Sequence, residues 1–174
     1  MMQNKWTHIL VWLSRITHCR GFGVQSPTDY GFVRYVINEH WPYYQYDEVG
    51  QDADWLTRRL GRLYFRLSNW RQPAVALVPA CYQPFVKAGC RKVRWASAAE
   101  GADLLIVQTA AEVERLLSQC KADTVLVLDG LSQRRSLWRR IVESPSATIT
   151  YDLYYCGIAL FDPARTKQHY IVNF

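Results

Sequence analysis

Through residue 72 the apolar positions recur at intervals of three and four, and beyond Pro73 they cluster into short unbroken runs. The first rhythm belongs to helices buried on one face, the second to strands covered on both. Trp6, Ile9, Leu10, Leu13 and Ile16 fall at helical spacing with Lys5, His8, Ser14 and Arg15 between them. They predict an amphipathic helix with one buried apolar face, ended by Gly21 and Gly23. Ser26 suits an N-cap, Pro27 the first helical position and Asp29 the first turn. The stripe Phe32, Val33, Val36, Ile37 carries that second helix towards His40, and Pro42 stops it. Residues 43–54, YYQYDEVGQDAD, read as a polar, tyrosine-rich loop. A third helix is expected from about Ala53 to Trp70. Leu56, Leu60, Leu63, Tyr64 and Leu67 form its inner face, and Arg58, Arg59, Arg62 and Arg66 lie off it, towards solvent. Gly61 weakens this helix by up to ~1 kcal/mol relative to Ala, and leaves room for close packing against a neighbour.

After Pro73 strands and helices alternate. Strands are expected at AVALVP (74–79), KVRWA (92–96), ADLLIVQ (102–108) and TVLVLDG (124–130). Three more are expected at ATITYDLYY (147–155), CGIALFD (156–162) and HYIVNF (169–174). Helices are expected at PFVKAG (84–89), AAEVERLLSQC (110–120) and SQRRSLWRRIVES (132–144). Alternation of this kind implies βαβ units and a parallel sheet. The last three runs have no helix between them, so they are expected to be antiparallel.

At 174 residues the chain has the length of a single domain, here a helical region (1–72) preceding an α/β core (73–174). No apolar run approaches the ~18 residues that span a bilayer. The run Ile9 to Leu13 is closed by Arg15, His18 and Arg20, short of a signal-peptide core of about 7 to 15 residues. The chain therefore reads as cytoplasmic, with no membrane contact. Cys19, Cys81, Cys90, Cys120 and Cys156 are scattered, odd in number and free of any C-x-x-C pair. That argues against a disulfide framework and a cysteine zinc site. His8, His18, His40 and His169 show no metal-ligand spacing, so no metal is expected. A net charge of +6 permits nucleic-acid contact without demanding it. In RRLGR (58–62) and RRSLWRR (134–140) arginine is interleaved with Leu and Trp. Such runs could track phosphates, but helical spacing accounts for them more simply, with Arg on the wet face.

Three stretches carry a family resemblance. GFGVQSP (21–27), followed by an aromatic helix, resembles the G-x-G-V-x-S-P stretch of a group of bacterial methyltransferase-like proteins. LGRLYFRLSNWRQP (60–73) resembles the helix that leads into their first strand. Residues 124–174, above all ITYDLYYCGIALF and KQHY, resemble their C-terminal half. The order of the three identifies the chain as similar to class I S-adenosylmethionine-dependent methyltransferases. The resemblance implies a Rossmann-like α/β sandwich, its mostly parallel sheet ending in antiparallel strands, behind an N-terminal helical region.

The middle of the chain departs from that family. Its members carry a glycine-rich turn after the first strand, where the absence of a Cβ lets backbone approach the cofactor. Here the turn is PACYQP, and the next glycine is Gly89. The acid that should follow the second strand, to accept hydrogen bonds from ribose hydroxyls, is replaced by Ser97-Ala98-Ala99 ahead of Glu100. ADLLIVQ ends in Gln108, where metal-dependent relatives place an Asp. No catalytic residue is assigned. The cofactor side, where retained, would be the backbone around Ala80, Cys81 and Tyr82 with Glu100 and Asp129. Glu100 reads more simply as a solvated loop acid, and Asp129 as a turn residue capping the next helix. Asp152, within ITYDLYY, reads as a buried acid paired to an arginine. The expectation is a methyltransferase-like protein with a degenerate cofactor loop, a non-catalytic module binding a protein partner or small molecule. No bound cofactor is expected, and self-association stays open. The alternatives are an active methyltransferase using S-adenosylmethionine and, from a different class, a basic nucleic-acid-binding protein.

Overall fold

The computed structural model of the chain describes residues 5–109, 113 and 116–174. The helices are α1 (Lys5–Ser14), α2 (Pro27–Phe32), α3 (Gln45–Glu48), α4 (Trp55–Arg71), α5 (Gln83–Gly89) and α6 (Arg135–Glu143). The strands are β1 (Val75–Leu77), β2 (Arg94–Trp95), β3 (Leu104–Val107), β4 (Val125–Asp129), β5 (Ile149–Asp152), β6 (Cys156–Leu160) and β7 (Gln168–Ile171). They form one sheet in the order β2-β1-β3-β4-β6-β5-β7. The helix expected over AAEVERLLSQC lies largely outside the described residues; Val113 and Leu116 of that run are buried.

Strands β2, β1, β3 and β4 are parallel, and β6 is inserted antiparallel between β4 and β5. The sheet is covered on both faces. Leu104, Ile106, Val125, Val127, Ile149 and Tyr151 face α2 and α4. Their neighbours Leu105, Val107, Leu126 and Leu128 face Leu137, Trp138 and Ile141 of α6. The alternation is the strand period of two, with both sets apolar because both faces are buried. Here α6 behaves as expected, with Leu and Trp inside and Arg139 and Arg140 exposed.

Three expectations are corrected. First, β7 pairs with β5 in parallel. Both edges of β6 are already taken, so the chain skips past β5 and joins its free edge. The run ATITYDLYY is also broken: β5 stops at Asp152, and Tyr154 turns the chain with φ +72°. Second, the tyrosine-rich loop contains the short helix α3. Third, the apolar stripe of α1 is not buried. Trp6 is 70% exposed and Leu10 65%, and Ile9, Leu13 and Ile16 are also exposed. The face that docks is His8, Val11 and Arg15, one helical stripe. The His8 Nδ1 and the Tyr155 hydroxyl lie 2.6 Å apart in a hydrogen bond, Val11 packs on the core, and Arg15 ion-pairs with Asp152.

Long-range polar contacts join the helical region to the last strands. Asp29, 1% exposed, accepts hydrogen bonds from the Tyr151 and Tyr170 hydroxyls and from Arg165. Asp152 is held at 2.7 Å by Arg15 on one oxygen and by Arg135 on the other. The pairing expected for Asp152 is therefore present. A buried carboxylate with two guanidinium partners keeps its charge satisfied.

Between α4 and α5, a Cβ on Gly61 would come within 2.6 Å of the Phe85 ring, so the close packing expected at Gly61 is realised. All five cysteines are free; Cys90 and Cys156 are buried and Cys81 is exposed. Among the described residues no helix is long and apolar enough to cross a membrane.

Candidate functional site

Helix α4 precedes β1 and runs back along the sheet, so its N-terminal half lies beside the carboxyl ends of the strands. Tyr64 at its middle reaches Asp129 at the end of β4. In open α/β sheets this end is where ligands bind. Two places on it bear on function.

The first is the set of residues singled out by the sequence. Ala80, Cys81 and Tyr82 form a single 3-10 turn after β1. Ala80 and Cys81 face solvent, and Tyr82 folds inward to 5% exposure. Its ring meets Tyr64 edge-on, with centroids 4.7 Å apart. Asp129 is 6% exposed and does not cap α6. Its carboxylate accepts from the Tyr64 hydroxyl (3.4 Å), from Gln108 Nε2 (2.8 Å) and from its neighbour Gly130 N–H (3.0 Å). Burial first, and then the Asp129 charge, push the Tyr82 phenol far above its ordinary value, so it stays protonated. Tyr82 and Asp129 are thus brought together, with Tyr64 and Gln108 around them. Glu100 is exposed on the loop between β2 and β3, and among the described residues no hydrogen bond or ion pair joins it to the other four. The space above Asp129 holds tyrosine rings, and Asp129 spends its acceptors on protein donors. Among the described residues no group of three or more His, Cys, Asp or Glu could hold a metal ion.

The second place is a cavity of about 460 Å³ between α4 and residues 37–46. Arg58, Arg59, Arg62 and Arg66 recur at helical spacing and line one wall. This corrects their expected exposure: residues 38–46 fold over the arginine face instead of leaving it to solvent. Arg66 is 7% exposed and structural, donating to the carbonyls of Val36 and Ile37 and to the Tyr46 hydroxyl. Arg58 holds the carbonyls of Gln51 and Ala53. The Arg59 guanidinium lies over the rings of Trp55 (5.3 Å) and Phe174 (4.7 Å), and that of Arg62 over Tyr46 (5.0 Å). Burial, with the nearby Arg66 charge, lowers the Arg59 pKa.

The Nε atoms of Arg58, Arg59 and Arg62 and the Nδ2 of Asn38 are buried with no hydrogen-bond partner among the described residues. One lining side chain is acidic, Glu39, which accepts from the Tyr43 hydroxyl. The cavity therefore has donors in excess, acceptors in deficit and aromatic walls. The arginine spacing was visible in RRLGR. Asn38, Tyr46, Trp55 and Phe174 were missed, because nothing local to them tells that they meet.

Comparison of the chain with protein-family models, curated proteins and solved structures finds no match.

Proposed function

We propose that the chain is a methyltransferase-like protein without turnover, serving as a binding module on a scaffold whose cofactor turn has closed. A parallel sheet with an antiparallel strand inserted near one edge is in keeping with the methyltransferase layout. The observation that carries the reading is Tyr82. In a cofactor-binding turn, glycine would leave room at this position. Here a tyrosine ring, buried against Tyr64 and beside Asp129, fills it.

The test is calorimetry with S-adenosylmethionine and S-adenosylhomocysteine, paired with thermal melts. No heat and no shift at millimolar ligand is expected. A ligand at 100 times its dissociation constant would add ~2.7 kcal/mol of stability. In a chain of this size that raises Tm by roughly 5 to 10 °C. A rise of that order would overturn the reading in favour of an active methyltransferase.

A further inference from the structure

We propose that the arginine-lined cavity binds a small phosphate monoester carrying a planar ring, as a nucleoside monophosphate does. Arg58, Arg59 and Arg62 take the phosphate, and the aromatic rim takes the ring. This deepens the reading of a binding module and places its ligand away from the closed turn.

Three features carry the proposal. Buried donors are almost always partnered, and an orphaned one is costly. Here three guanidinium Nε atoms and one amide lack partners around a single cavity. Their common deficit is an acceptor, so the complement is an oxygen-rich group. The charge makes the same demand. Four arginines against Glu39 give the lining side chains a net +3, and among the described residues no ion pair involves Arg58, Arg59 or Arg62. A phosphate monoester carries about −1.5 to −2 charge at pH 7 and three acceptor oxygens, against −1 and two for a carboxylate. Guanidinium forks match phosphate geometry in pairs.

The third feature is the rim. Beside Trp55, whose ring already carries Arg59 and His8, Trp41 is 75% exposed, a large apolar ring left in water at a cationic wall. Such rings offer stacking faces for a planar group. A cavity of about 460 Å³ lies within the range of small-molecule sites, ~300–1,000 Å³.

The experiment is calorimetric titration of the full chain with 5′-AMP, adenosine, inorganic phosphate and a 5′-hydroxyl single-stranded oligonucleotide, at low and high salt. AMP is expected to bind at least tenfold more tightly than adenosine or inorganic phosphate, and to weaken as salt rises. Arg62→Met keeps an apolar stem over Tyr46 and removes the charge. It is expected to weaken AMP at least tenfold. Arg58→Ala is expected to do the same, and Arg139→Ala, exposed on α6, to change nothing. Far-UV circular dichroism and melts identify any variant that fails to fold, leaving the other to decide. Equal affinity for AMP and inorganic phosphate would overturn the part assigned to the ring. Tighter binding of the oligonucleotide than of AMP, no AMP binding at millimolar concentration, or an unaltered Arg62→Met would overturn the proposal. S-adenosylmethionine has no phosphate, so heat with that compound alone would fail the reading of a closed turn while leaving this proposal to its own titration.

Discussion

His8 ties α1 to the hairpin between β5 and β6, and its chemistry makes that tie sensitive to acid. The imidazole bonds the Tyr155 hydroxyl and packs, tilted by 41°, against Trp55 with ring centroids 4.2 Å apart. Burial, followed by the Arg59 charge, lowers its pKa below 6.5. Between the folded pKa and 6.5 the unfolded chain binds more protons than the folded one. The stabilisation from neutral His8 is therefore complete above pH 6.5 and lost as pH falls through the folded value. The urea midpoint is expected to drop between pH 7 and pH 5, and to drop less in His8→Asn. His169, lowered mainly by burial as well, acts in the same direction, so the variant flattens the curve only in part. An unchanged pH dependence in His8→Asn would remove His8 from the account. At this scale, residues satisfied locally were legible: Ser26 does accept from Asp29 N–H as an N-cap. The sequence marks Asp29 only by its place in the first turn of a helix. Its burial against Tyr151, Tyr170 and Arg165 depends on partners more than 120 residues away, which spacing does not reveal.

At the level of elements, the crossover from β1 to β2 is compact because two glycines let α5 lie directly on α4. Besides Gly61 under Phe85, a Cβ on Gly89 would collide with the Phe65 carbonyl oxygen. Gly61→Ala is expected to cost about 1 to 3 kcal/mol by overpacking, although Ala is the better helix former. Phe85→Leu frees space at the same contact, so the double variant should be more stable than the two single costs summed, by about 0.5 kcal/mol or more in a double-mutant cycle. Strict additivity in denaturant melts would show that the ring does not set the helix spacing. The pattern of α4 made its apolar face legible, since periodicity reports which positions avoid water. It did not say what covers the opposite face. The arginines looked solvated for that reason, and the fold of residues 38–46 over them follows from contacts such as Arg66 to Val36 and Ile37. The same blindness applies to α1, whose apolar stripe was legible but whose docking face is the mixed one of His8, Val11 and Arg15.

For the whole molecule, the alternation of strands and helices made the parallel half of the sheet readable. The position of β7 was not, because strand order depends on which edges are already filled. The polar contacts between the helical region and the last strands also set an order of events during synthesis. Tyr151 bonds Asp29 across 122 residues, and Arg15 meets Asp152 across 137. A ribosome adds ~5–20 residues per second, so Asp29 waits roughly 6 to 24 s for its hydroxyl partner. Throughout that interval water is the donor to Asp29, and the faces that will meet β5 stay open to solvent. Chains arrested on the ribosome before residue 147 should therefore be cut by protease within residues 27–37, and chains released at full length should resist. Equal resistance in both would mean that the early helices fold without the strands. A chain whose early helices are completed by strands made more than 120 residues later depends on reaching those strands quickly, and slow translation over residues 38–146 lengthens its exposure to misfolding.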